Sequence, residues 1–417
     1  MNAILLNYTK KYSQPFLLLC LELFFIVFSI HIKGFSGLLT LRNFAMGGVI
    51  AVYVFWFGRK KTPLPSTQTI DNSWAFGMAG ILLWSVIVTL ANGAPFYDSH
   101  SCFRSTVNFF IMVVLLPLLL SKMEFKAERF AKALTIVTCV QALIVIGCFL
   151  SPTIKAIIFN IQEWDDNFLH YRVSGLGIAG AGGTVYLFCG FLANVYYLMF
   201  YGKSVLYYAT LFIIFFATML VGRTGFYMEV ILVLYYFINF YRHSSKRGSF
   251  GKSFVSLLLG VFVIAVAIGY VQTHMNVDYE MIGSSYNRLN DIFTGETVSE
   301  ISQMAVPNIT IGSILFGTGL EKGLSLDGVL IWNDSGYVQR FLALGLLPSF
   351  LFYYILGKYL LKLNSRIILK DKRRFWMLIF LMMFIIEYKE AFIFYLSLPF
   401  VLIMFLKIEI HAQGTAK

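Results

Sequence analysis

Residues 131–150 read AKALTIVTCVQALIVIGCFL, an apolar stretch with one charged side chain, Lys132, close to its start. A helix needs about 20 apolar residues to cross a bilayer. The stretch therefore predicts a membrane-spanning helix. Similar stretches recur along the rest of the chain, so the fold is decided by a repeated pattern and not by one isolated segment.

The composition of the whole chain agrees with this interpretation. Of the 417 residues, 58% are hydrophobic and only 13% are charged, whereas about a quarter of the residues of a soluble domain are charged. So few charges could not cover a soluble globule of this length. Disorder and a secreted disulfide scaffold are excluded as well, because apolar residues dominate and there are only five cysteines. The sequence predicts an all-α polytopic membrane protein, with residues 1–417 forming a single integral-membrane domain.

About twelve spans are predicted, separated by short polar segments. They are 15–32, 38–57, 74–92, 104–121, 131–150, 176–200, 204–221, 224–241, 253–271, 335–357, 375–388 and 391–407. The last two surround Glu387–Glu390 and predict either a tight hairpin or one span with a re-entrant segment. Between the ninth and tenth spans, residues 272–334 form the largest polar segment, which we expect to pack on the bundle as short helices.

The basic residues predict the orientation, because Lys and Arg are concentrated in cytoplasmic loops. With the N-terminus inside, most of the 33 Lys and Arg residues fall on the cytoplasmic side. Both termini are then cytoplasmic and 272–334 lies outside. The net charge of +12 follows from this topology, so it does not indicate nucleic acid as a partner. No cleavable signal pattern precedes the first span.

Four arginines lie on the side that the positive-inside bias disfavours. Arg223 belongs to the short connection Val221-Gly222-Arg223-Thr224-Gly225-Phe226, and the others are Arg172, Arg288 and Arg340. A guanidinium is a planar, permanently charged fork that fits phosphate oxygens. Together they predict a site for an anionic lipid headgroup, especially a diphosphate. Alternatively, each arginine snorkels to the interface or caps a helix.

A second candidate is the carboxylate of Asp334, in Asn333-Asp334-Ser335-Gly336-Tyr337 at the start of the tenth span. Asp334 and Ser335 are good helix caps. Asp334 is also placed to accept a proton from a sugar hydroxyl at the outer interface. Both interpretations remain open from the sequence.

Glycines 175, 177, 180, 182 and 183 begin the sixth span. No strand precedes them, so they do not match a dinucleotide-binding fingerprint. They predict close helix packing or a substrate groove. The spacing from Arg172 to Gly183 is an Arg, ten residues and a Gly.

Metal and cofactor sites are not predicted. His100, His170 and His274 are scattered, and four of the five cysteines fall in apolar runs, so we expect no metal, no cofactor and no intramolecular disulfide. Glu22, Glu229 and Glu387–Glu390 lie in or beside spans, where ionisable residues are functional candidates by default. Glu22 and Glu229 can also simply pair with a neighbouring Arg or Tyr.

These motifs resemble those of bacterial oligosaccharide repeat-unit polymerases of the Wzy type, whose wider relatives are the O-antigen ligases. Gly222-Arg223-Thr224-Gly225 looks like the short arginine turn of these families, and Arg172 to Gly183 is similar to their Arg-x10-Gly pattern. Phe316-Gly317-Thr318-Gly319 resembles their Gly-x-Gly segment before a late span. Asp334 stands where ligases carry a His, which favours the polymerases. A second Arg-x10-Gly is absent, because Ser299 follows Arg288 at that spacing.

The resemblance implies a GT-C-like, metal-independent glycosyltransferase in the bacterial inner membrane. By the same resemblance, donor and acceptor would be glycans on undecaprenyl diphosphate at the outer leaflet. A chain-length regulator is a candidate protein partner, and the sequence does not decide whether one binds. The resemblance also implies that Arg223 and Arg288 stabilise the leaving diphosphate and that Asp334 orients or deprotonates the attacking hydroxyl. Substrate binding is assigned to Arg172, Gly183, Arg340 and Tyr337.

Two rivals remain open. A ligase would differ in its acceptor. A lipid-linked oligosaccharide flippase would show two similar halves and charges along a central path, and the sequence reveals neither.

Overall fold

The structure is a computed structural model that describes the chain in segments. These are residues 16–33, 40–52, 68–96, 98, 100–121, 126–162, 173–177, 180–202, 204–243, 311–321, 323–324, 330–331 and 333–414. The predicted ninth span, most of the predicted loop 272–334, Arg172 and Arg288 lie outside the described residues.

The described residues are mostly helical, as predicted. In chain order the helices are α1 Phe16–Val27, α2 Leu41–Val52, α3 Gln68–Ala91, α4 Cys102–Phe109, α5 Leu116–Leu120, α6 Ala127–Leu150, α7 Pro152–Ile161, α8 Ala181–Phe200, α9 Val205–Val221, α10 Arg223–His243, α11 Ile311–Phe316, α12 Gly336–Leu344, α13 Leu346–Ser365, α14 Lys370–Ile386 and α15 Ser397–Gly414. A π-helical turn, Phe110–Leu115, joins α4 to α5, and a 3₁₀ turn, Phe392–Tyr395, precedes α15. The strands β1 Gly323–Leu324 and β2 Leu330–Ile331 form one short antiparallel pair.

Five helical segments of the described residues are long and apolar enough to cross a membrane. They are Thr69–Ala91, Cys102–Leu120, Ala127–Leu150, Ala181–Phe200 and Leu346–Ser365. Helix α3 shows why such a segment suits lipid. One face buries Trp74 and Met78, while Phe76 is 80% exposed and Leu83 63% exposed on the other. An apolar face of this kind is costly in water and stable in a bilayer. The count of twelve spans stays a prediction.

The chain divides into two compact units. A single integral-membrane domain over residues 1–417 stays a prediction. Unit 1 consists of residues 1–13, 46–127 and 296–417, and unit 2 of residues 14–45 and 128–295. Each unit therefore combines segments that are distant in sequence. The charge bias predicts which end of the helices in each unit faces the outside of the cell. We call that end the outer end, and the opposite end the inner end.

The predicted tenth span, 335–357, is two helices. Gly345 has a φ of 85° between α12 and α13, a conformation that is strained for residues with a Cβ. A Cβ on Gly345 would also collide with the backbone of Leu315 and Phe316. The pattern of apolar residues runs through this break, so it could not reveal it.

The Gly317-Thr318-Gly319 segment closes the end of α12. A helix leaves its last carbonyls without partners. Here Thr318 N–H donates to the Leu342 carbonyl (2.8 Å) and Gly319 N–H to the Ala343 carbonyl (3.1 Å). Trp84 Nε1 donates to the Leu344 carbonyl (2.8 Å). In unit 1 the Gly-x-Gly motif thus lies with its backbone close to the backbone at the end of α12.

Candidate functional site

At the outer end of unit 1, Arg340 is fully buried in α12. Its guanidinium forms a salt bridge with Glu321, donates to Ser105 Oγ at 2.9 Å and lies 3.5 Å from the centre of the Phe394 ring. Its Nε is buried without a hydrogen-bond partner among the described residues. A contact between Arg340 and a headgroup would require this ion pair to open.

Glu321 reaches Arg340 because the segment after Gly319 is tied to the start of α4. Cys102 N–H donates to the Gly319 carbonyl (2.9 Å), and Glu321 N–H donates to the His100 carbonyl (2.8 Å). The backbone of the segment therefore places the carboxylate beside α12. The pairing of Glu321 with Arg340 could not be predicted from the sequence, because nothing in the pattern relates residue 321 to residue 340.

A second buried carboxyl, Glu387, follows α14 at the same end. Tyr353 donates its hydroxyl to Glu387 Oε1 (2.9 Å), and Ile393 N–H donates to Oε2 (2.7 Å). Gly336 N–H donates to the Glu387 carbonyl (2.9 Å), and a Cβ on Gly336 would collide with the Glu387 carboxyl. Glu387 thus joins α12, α13 and α14, which gives one of the predicted intramembrane acids a packing role.

Tyr337 is half-buried beside this cluster. Its hydroxyl donates to the Phe384 carbonyl at 2.6 Å, and its ring lies 4.7 Å from that of Tyr353. These contacts hold the side chain between α13 and α14. Stacking of Tyr337 on a sugar stays a prediction.

Asp334 is exposed on the turn that leads into α12. The turn is built by its neighbour, because Asn333 Oδ1 accepts from Ser335 N–H (2.9 Å) and the Asn333 carbonyl accepts from Gln339 Nε2 (2.9 Å). Ser335 occupies the N-cap position, and its hydroxyl makes no capping bond. The structure thus places Asp334 one residue before the cap, with its carboxylate accessible.

At the outer end of unit 2, Arg223 begins α10 and is half-buried. The glycines around it allow α8 and α10 to approach closely. Gly225 N–H donates to Thr184 Oγ1 (3.1 Å), and a Cβ on Gly225 would come within 2.7 Å of the Thr184 carbonyl oxygen. The short arginine turn is therefore held against the first turn of α8, where Gly183 is buried.

Two glutamines, which the sequence did not single out, hold the glycine-rich segment before α8. Gln162 donates to the Gly175 carbonyl (3.1 Å) and accepts from Gly177 N–H (2.9 Å). Gln141 Oε1 accepts from Leu176 N–H (3.3 Å). Both glutamines are polar side chains in or beside apolar helices, where buried polar groups require hydrogen-bond partners. This placement could have identified them from the sequence.

Two further buried groups lie at this end of unit 2. Arg42 donates to the carbonyls of Ile26 (3.1 Å) and Val27 (3.2 Å), and to the Tyr186 hydroxyl (3.1 Å). It thereby closes the C-terminus of α1, where a cation is favoured. Glu229 accepts from Thr218 Oγ1 (2.8 Å), a different partner from the predicted Arg or Tyr.

Among the described residues, two buried ion pairs that the sequence did not reveal lie at the inner end of unit 1. Lys407 donates to Asp71 at 2.8 Å, and Tyr359 donates its hydroxyl to the other oxygen of Asp71 at 2.8 Å. Lys372 contacts both carboxylate oxygens of Glu409 at 2.8 Å. The sequence showed no internal path of charges, yet unit 1 contains acid–base pairs at both of its ends.

No group of three or more His, Cys, Asp and Glu residues is close enough to hold a metal ion within the described segments. Comparisons with models of protein families, with curated proteins and with solved structures found no match for this chain. The resemblance to repeat-unit polymerases thus stays a prediction carried by the residues alone.

Proposed function

We propose that the protein polymerises undecaprenyl-diphosphate-linked oligosaccharide repeat units at the outer leaflet, for O-antigen or a related surface polysaccharide. The observation that carries the proposal is the exposed carboxylate of Asp334 at the outer end of unit 1. It lies on a turn whose backbone is held by Asn333 and Gln339. An accessible carboxylate on such a turn, beside helices that suit a membrane, fits the requirement for a base that meets a lipid-linked sugar.

The proposed reaction is a metal-independent glycosyl transfer. A hydroxyl of the acceptor glycan attacks the anomeric carbon of the donor, and the new carbon–oxygen bond forms as the bond to the diphosphate breaks. The hydroxyl proton passes to Asp334, and undecaprenyl diphosphate leaves with the bonding electrons. The product is a longer glycan on the acceptor lipid.

Arg223 is proposed to stabilise the negative charge of the leaving diphosphate. The contact of Gly225 with Thr184 holds the backbone of the arginine turn, and a positioned cation needs little reorganisation as charge develops. Arg288 has the same proposed role, and Arg172 and Gly183 guide the lipid or glycan. Arg340, whose charge Glu321 neutralises in this conformation, would contact substrate only when that pair opens.

The test is a reaction with the purified full-length protein, lipid-linked repeat units and a chelator in detergent. The expected product is a ladder of glycans on undecaprenyl diphosphate, separated on a gel. In cells, deletion of the gene should leave single repeat units on the surface glycan. If no product longer than one unit forms, and the deletion strain still makes long chains, the proposal is wrong.

A flippase for the same lipid-linked glycans is the second candidate. It is favoured by the buried ion pairs of unit 1, since intramembrane charges often mark transport paths. A flippase would move labelled lipid-linked units across proteoliposomes without lengthening them, and it would give no product in detergent. A ligase would transfer glycan to a different lipid acceptor, so adding that acceptor to the same reaction separates the third alternative.

A further inference from the structure

A groove of about 600 Å³ runs along unit 1 between α13 and α14. Its residues are Tyr353, Tyr354, Gly357, Lys358, Leu361, Lys362, Ser365 and Phe384. Most of them recur every three or four positions on α13, so they form one stripe on that helix. From Tyr353 to Ser365 the stripe is about 18 Å long at 1.5 Å per residue, which is close to the ~15 Å depth of one leaflet.

Gly357 lies on the wall of the groove facing Phe384. A Cβ at this position would make an ordinary contact, 3.7 Å, with the Phe384 ring. A larger side chain at position 357 would therefore occupy the groove. The neighbouring walls are apolar and aromatic, as an acyl chain requires.

Two exposed lysines line the inner-end half of the groove. Lys358 lies over the Tyr354 ring, 5.4 Å from its centre, and Lys362 follows one helical turn later. Neither lysine pairs with an acid among the described residues, in contrast to the buried Lys372 and Lys407 of the same unit. Two uncompensated cations at one end of a groove whose other end is aromatic and apolar are complementary to a lipid with a negative headgroup.

We propose that this groove binds one anionic phospholipid, with its phosphate on Lys358 and Lys362 and one acyl chain along Gly357 towards Phe384. The site is at the opposite end of unit 1 from Asp334 and does not depend on the proposed reaction. Its ligand is a component of the membrane and not a substrate.

Native mass spectrometry of the purified full-length protein tests this, with phosphatidylglycerol and phosphatidylcholine added in turn. The double variant K358Q/K362Q should bind phosphatidylglycerol about thirtyfold more weakly than the unmodified protein, from two lost lysine contacts near a membrane surface. The matched control R366Q/K370Q removes the same charge from exposed positions outside the groove and should retain binding. K358R/K362R should retain it as well.

A second pair of variants tests the groove without changing charge. Gly357→Ala leaves the groove open and should bind as the unmodified protein does, whereas Gly357→Leu fills it and should lose the phospholipid. This pair also decides the matter if K358Q/K362Q fails to fold. Equal loss in R366Q/K370Q, equal binding of phosphatidylcholine, or unchanged binding in Gly357→Leu would overturn the proposal. The proposal would also be overturned if the unmodified protein were a dimer and only the groove variants were monomers, because the groove would then be occupied by a second copy of the chain.

Discussion

Each of the two units buries an arginine at its outer end, but the hydrogen-bonding and charge partners of the two guanidinium groups differ. Arg340 of unit 1 is paired with the Glu321 carboxylate and covered by the Phe394 ring. The hydrogen bonds of Arg42 in unit 2 go to two helix carbonyls and the Tyr186 hydroxyl. Each unit also has a candidate for chemistry that is more accessible, namely Asp334 and Arg223. Charged residues at the predicted outer end therefore fall into two groups. The buried ones stabilise the packing of helices, and the more accessible ones are candidates for catalysis.

The largest expected effect is on the chemical step in unit 1. Asp334→Asn should lower the rate of polymer formation by about 10²–10⁴, the usual loss when a general base is removed, while the protein remains folded. The rate with purified lipid-linked repeat units and the thermal midpoint measure the two effects separately. Asp334→Glu, which restores a carboxylate, should recover part of the rate. A near-normal rate with Asn would leave Asp334 as a residue of the turn and nothing more.

The next effect is on the stability of unit 1. Arg340→Ala should destabilise the fold by about 3–5 kcal/mol, because it leaves the partly buried Glu321 carboxylate without its cation. The double variant Arg340→Met with Glu321→Met should lose less than Arg340→Ala, since both charges are gone. Denaturant unfolding in detergent measures both. Equal losses of unfolding free energy in the two variants would show that the unpaired Glu321 carboxylate does not cause the destabilisation.

In unit 2 the arginine turn is expected to affect activity and not folding. Arg223→Ala should cost about 2–5 kcal/mol of transition-state stabilisation, judged from charge pairs that lose one partner, with normal insertion in the membrane. Arg223→Lys should recover only part, because lysine lacks the planar fork. Arg366→Gln, at the inner end, is a control that should leave the rate unchanged. Full activity of the Ala variant would reduce Arg223 to an interface anchor.

The smallest effect is expected for Arg42. Arg42→Ala should destabilise unit 2 by about 1–3 kcal/mol, because buried carbonyls at the end of α1 lose their donor. Tyr186→Phe removes the hydrogen bond from Arg42 to the Tyr186 hydroxyl and should cost about 1 kcal/mol. Hydrogen exchange at the C-terminus of α1 should rise in the Arg42 variant. If exchange is unchanged there, Arg42 is not the cap of that helix.

The sequence by itself determined the helical class and the apolar stretches that suit a membrane. This follows because a long run of apolar residues meets the length and backbone requirements of a span locally, without information from elsewhere in the chain. It also singled out Asp334 and the arginine turn, since their polarity conflicts with the apolar sequence around them. The apolar pattern did not reveal the break at Gly345, because a helix break depends on one residue's backbone and leaves the hydrophobicity unchanged.

Only the tertiary structure decided which charges are paired. Asp71 and Lys407 are 336 residues apart in sequence, and no period or spacing relates them. Arg340 and Arg223 both appear as isolated arginines on the predicted outer side, yet one is enclosed by Glu321 and Phe394 and the other begins a helix half-buried. The pairing energy of a charge depends on the distance and burial of its partner, and both quantities exist only once the helices have packed.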